Sequence, residues 1–108
     1  MNTQQFNDQD FRTSATETVN AFFEGFTYPS REDFNDSQIS HITDIVASIY
    51  MTQHVYRIGG GFVQSILEDK LGAAFSRADS TIVKAIRIMV YARDYGQVKK
   101  FKPSFETI

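Results

Sequence analysis

Two histidines, His41 and His54, and no cysteine are available for chemistry in this 108-residue chain. Without cysteine there are no disulfides, no thiolate nucleophile and no Cys-ligated zinc. The two histidines fall on one expected helix and point about 140° apart at ~100° per residue, so they form no i, i+4 metal pair. His41 stands three residues before Asp44, the spacing of a surface pair on a helix. The adjacent carboxylates Glu32-Asp33 and Glu68-Asp69 face different ways, as neighbours on a helix must, and do not converge as a hydrolytic pair would. The residue types therefore point away from an enzyme and imply no cofactor.

One loop has the makings of an anion site. Arg57-Ile58-Gly59-Gly60-Gly61 precedes a helix, where exposed N–H groups of Gly59, Gly60 and Gly61 could hold a phosphate beside Arg57 and His54. It lacks the Lys-Ser/Thr of a P-loop and the strand before it. A hinge letting two helices pack antiparallel explains the same glycines.

The C-terminal tail interleaves Lys99, Lys100 and Lys102 with Tyr95, Phe101 and Phe105. Basic and aromatic residues together suit single-stranded nucleic acid, and equally a segment strapped across its own bundle or docked on a partner. The net charge of −2 hides a gradient: residues 1–36 carry seven acids against two arginines, and residues 80–108 six bases against two acids. Such polarity suggests different partners at the two ends or front-to-back self-association; uneven solvated faces are the plain alternative.

The elements that position these groups read as helices. Phe11, Ala15, Val19, Phe22 and Phe26 define an apolar stripe at helical spacing over residues 10–26. Ser14 and Glu17 have capping-box spacing that would start it later, and Tyr28-Pro29 ends it. Ile39, Ile42, Ile45, Val46 and Ile49 place a second helix from Asp36 or Ser37 to about Ile58, before the glycines. A third is expected from Phe62 to Ala78. Asp79 or Ser80 caps a fourth, whose apolar residues cover most of its circumference and place it mid-bundle or against another subunit. The expectation is one all-α domain over residues 1–108, a compact bundle of about four helices with a polar arm (1–9) and a basic aromatic tail (97–108). No apolar run approaches the roughly 20 residues of a membrane span, and the polar acidic N-terminus is no signal peptide. A cytoplasmic location is expected.

Residues 71–87, LGAAFSRADSTIVKAIR, resemble the helix-turn-helix signature of bacterial and phage DNA-binding domains. Leu71, Gly72, Phe75, Ser80, Thr81, Ile82, Lys84, Ala85 and Ile86 match it; Ser76, Arg77 and Val83 depart from it. The resemblance implies that Ser80, Thr81, Lys84 and Arg87 face DNA, with the tail lysines on phosphates. GGGFVQ, SRADS and the later Tyr95 resemble small helical proteins of phage genomes, which implies a mobile-element origin. The leading expectation is a non-enzymatic protein-binding module, a phage-encoded accessory or inhibitor that occludes a host protein and can be a homo-oligomer. The alternatives are a DNA binder and, third, a small-anion or nucleotide binder at the glycine loop.

Overall fold

The computed structural model describes residues 6–101. Asn7 begins the first helix, α1 (Asp8–Gly25): its side chain accepts the Asp10 N–H and the Asp10 carboxylate accepts the Asn7 N–H, both at 2.9 Å. That reciprocal cap satisfies two donors a helix start leaves open. It moves the start ahead of Asp10 and puts Ser14 and Glu17 inside the helix. The arm expected over residues 1–9 is thus partly helix, and Phe6 packs on the core.

A turn through Tyr28-Pro29 and a 3₁₀ turn at Arg31–Asp33 lead to α2 (Asp36–Gln53), boxed in the same way by Asn35 and Gln38. This helix ends five residues before the expected Ile58. Val55 enters the left-handed region at φ 55°, its N–H reaches Thr52 O at 3.1 Å, and the Tyr56 N–H reaches Met51 O at 2.8 Å. Those two bonds form a Schellman cap that satisfies terminal carbonyls.

The expected third helix is two helices, α3 (Gly61–Leu67) and α4 (Leu71–Arg77). Asp69, at φ 61°, repeats the device: its N–H bonds Ile66 O and the Lys70 N–H bonds Ser65 O. Asp tolerates this conformation better than most residues. Asp79 then caps α5 (Ser80–Tyr95) by accepting the Ile82 N–H at 2.9 Å. The described residues form a compact all-α fold with five helices, not about four, and no strand.

The three long helices α1, α2 and α5 pack on one another, and the short α3–α4 pair braces one side. Ile42, Val46, Ile49 and Tyr50 of α2 meet Phe11, Val19 and Phe22 of α1 and Ile82, Ile86, Ile88 and Met89 of α5 in a single core. Part of the broad apolar surface of α5 is covered within the chain, where α1, α2 and α3 contact it; Val90 and Tyr91 are half-buried, and Val83 and Tyr95 remain exposed. Of the aromatics that composition leaves unassigned, Phe34 is buried and Phe6 and Phe101 are half-buried. Phe105 lies outside the described residues.

Candidate docking groove

α4 packs on α3 and makes few contacts with α5, which leaves a gap between α4 and α5. Leu71 and Phe75 form one wall, Ile86, Val90, Tyr91 and Tyr95 the other, and Phe22 and Phe26 from the end of α1 close it. The volume is about 400 Å³. Phe22 and Phe26 stack at 4.6 Å, Tyr91 meets both edge-on, and Tyr95 tilts against Tyr91 at 5.7 Å. Phe26, Phe75 and Tyr95 are 39%, 47% and 75% exposed, so the lining is apolar yet wet.

Opposite charges bracket the groove. Arg87 lies over the Phe26 ring at 5.7 Å and donates to Tyr28 O at 2.7 Å. At the other end the Asp94 carboxylate accepts two bonds from Arg93, at 2.8 and 3.1 Å, which hold its pKa below the usual carboxylate value. Arg93 also donates to Ile66 O and Asp69, tying α5 to the α3–α4 corner.

The residues singled out for DNA do not form one patch. Ser80 is exposed at the start of α5. The Thr81 hydroxyl accepts from Gln38 at 3.0 Å, and Lys84 donates to Asp33 O at 3.3 Å while lying over the Phe34 ring. Lys84 and Arg87 thus clasp the α1–α2 connection, and Thr81 holds the first turn of α2. Lys99 and Lys100 sit elsewhere, near the first half of α1, against Glu17 at 3.6 Å and Asp10 at 4.0 Å. Lys102 lies outside the described residues.

The glycine loop is internally bonded. Arg57 turns to Asp8 at 3.5 Å and over the Tyr56 ring. The Gly59 N–H donates to Thr52 Oγ1 at 2.8 Å, and Gly59 O accepts from Gln64 at 2.9 Å. Gly60 caps only the seven-residue α3, and the arginine beside Gly61 is Arg77, bonded to Ser65. His54 packs edge-on against Phe6 near Phe11, and Asp44 pairs with Arg12 across to α1 at 2.8 Å. Among the described residues no group of three His, Cys, Asp or Glu could hold a metal, and no helix is long and apolar enough to cross a membrane.

The sequence pattern showed Phe22 and Phe26 at i, i+4 but read them as core. Nothing in it marked Phe75, Tyr91 and Tyr95 as neighbours, because the split between α3 and α4 brings Phe75 there. Comparison with protein-family models, curated proteins and solved structures finds no match to this chain.

Proposed function

We propose that this chain is a non-enzymatic protein-binding module that docks an apolar segment of its partner in the groove between α4 and α5. The observation that supports this reading is the convergence of Phe26, Phe75 and Tyr95, all exposed, on one apolar depression. Covering such rings returns about 25 cal/mol per Å² of apolar surface, and clustered exposed aromatics are the usual anchors of interfaces. By covering a surface of its target the module acts as an accessory or inhibitor without catalysis, in keeping with the resemblance to small phage proteins. A DNA-binding reading draws less support, since Thr81, Lys84 and Arg87 are already hydrogen-bonded within the chain.

The test is affinity capture with the wild-type chain and with Phe75→Ser and Val90→Asp variants of unchanged helicity. A stoichiometric protein retained after nuclease treatment by wild type and lost by both variants is the expected result. Equal capture by all three, or recovery of nucleic acid that nuclease removes, overturns it.

A further inference from the structure

The buried face of α1 carries a polar line that a core helix would ordinarily avoid. Asp10, Ser14 and Thr18 recur every four residues beside Phe11, Ala15, Val19 and Phe22, and all three are buried. Buried polar groups are costly unless bonded. Thr18 bonds the Tyr50 hydroxyl; the other two bond a segment that arrives from the opposite end of the chain. Residues 97–101 leave α5 without helical structure. The Lys99 N–H donates to Ser14 Oγ at 2.9 Å and the Phe101 N–H to Asp10 Oδ1 at 3.0 Å.

The two spacings match. Alternate amides of an extended segment are about 6.6 Å apart, and residues four apart on a helix rise about 6.0 Å. A helix face with acceptors at i and i+4 therefore reads alternate N–H groups of an extended chain lying antiparallel to it. The side chains of this segment add charge and apolar contact: Lys99 meets Glu17, Lys100 meets Asp10, and Val98 packs against the core.

We propose that the Asp10–Ser14–Glu17 face of α1 is a peptide-binding site for extended basic segments, held in cis by residues 97–101. Recognition runs mainly through backbone amides, so the site demands an extended conformation, paired lysines and a flanking apolar residue, not one unique sequence. A segment of that chemistry from another protein competes with the strap. This site is separate from the groove and stands whether or not the groove docks a partner.

The test uses the full-length chain and a labelled peptide, acetyl-Gly-Gln-Val-Lys-Lys-Phe-amide, followed by fluorescence anisotropy. In a Lys99→Glu/Lys100→Glu variant the strap is repelled from α1, and the peptide binds about tenfold or more tighter than to wild type, where the tethered strap competes at millimolar effective concentration. Adding Glu17→Lys to the double variant weakens binding about tenfold, and rising salt weakens it further. No binding to the double variant at millimolar peptide, equal affinity for wild type, or indifference to Glu17→Lys overturns the proposal. If the double variant loses helicity, hydrogen exchange on wild type decides: excess peptide speeds exchange of the 99 and 101 amides, and unchanged rates overturn the site.

Discussion

The carboxylate of Asp10 accepts the amide of Phe101 at 3.0 Å, joining two residues ninety-one positions apart. The same carboxylate closes the cap of α1 through the Asn7 N–H. One buried side chain thus starts the first helix and holds the tail. It also accounts for part of the charge gradient, because the basic segment after α5 lies on the acidic first helix, with Lys99 and Lys100 against Glu17 and Asp10.

Asp10→Ala removes both roles. Loss of the carboxylate's bond to the Asn7 N–H costs about 1 kcal/mol, although Asn7 still caps the residue-10 N–H, and the unpaired part-buried Phe101 amide adds about 1 kcal/mol or more. Urea unfolding is expected to show a loss of about 2–3 kcal/mol, with Asp10→Asn recovering part of it through its remaining carbonyl oxygen. A loss under about 0.5 kcal/mol would show that neither role matters to stability.

Gly96 sits against Tyr50. A Cβ at this position overlaps the Tyr50 hydroxyl and comes within 2.7 Å of the Ala92 carbonyl. Tyr50 is fully buried and bonded to Thr18, so it has little room to move. Gly96→Ala should destabilise by about 1–3 kcal/mol. Gly25→Ala, where nothing lies within 4 Å, is the control and should be neutral or stabilising. Equal midpoints for the two variants would contradict this packing.

Val55 holds a left-handed backbone conformation while 79% exposed. For a β-branched residue that conformation is strained by about 1–2 kcal/mol. Val55→Gly is expected to raise stability by about 1 kcal/mol, with the added flexibility of the unfolded glycine offsetting part of the relief. Thermal or urea midpoints check the sign; a drop would mean that the Val55 side chain matters more than its backbone strain.

Stability should fall at both ends of the pH scale. The carboxyls of Asp8, hydrogen-bonded to Tyr56, and Asp94, hydrogen-bonded to Arg93, are held below their ordinary value of 3.8. The folded state keeps them ionised more readily than the unfolded one. Their stabilisation is present above that value and is lost as pH falls through the depressed folded pKa values. Tyr50 moves the other way, because burial raises it above 10.0. Its contribution is complete below pH 10.0 and disappears as pH rises through the raised folded value. Urea midpoints measured from pH 3 to 11 should form a plateau with both shoulders, and Tyr50→Phe should flatten the alkaline one. An alkaline shoulder unchanged in Tyr50→Phe would assign it to another group.

The helices were legible in the sequence because their causes are local. The stripe from Phe11 to Phe22 repeats at helical period, and Asp79 has the side chain to cap α5, as it does. The interior position of α5 was legible as one of two options, from an apolar surface too broad for a solvated helix. The fifth helix was not, because the sequence signal for a helix end is glycine and this chain turns left-handed at Asp69 instead, as it also does at Val55, where α2 ends short of the glycines. Once α3 stops at Leu67, the separate α4 carries Phe75 to the groove, a placement no spacing rule contains. The charges divide in the same way. Sequence alone established an acidic front and a basic back; tertiary structure decided that Lys99 and Lys100 lie on α1 while Lys84 and Arg87 clasp the α1–α2 connection. Periodicity records which face of a helix is apolar, but which distant segment covers its polar positions depends on where the chain returns in space. Asp10 and Ser14 find their partners only because residues 97–101 come back along α1.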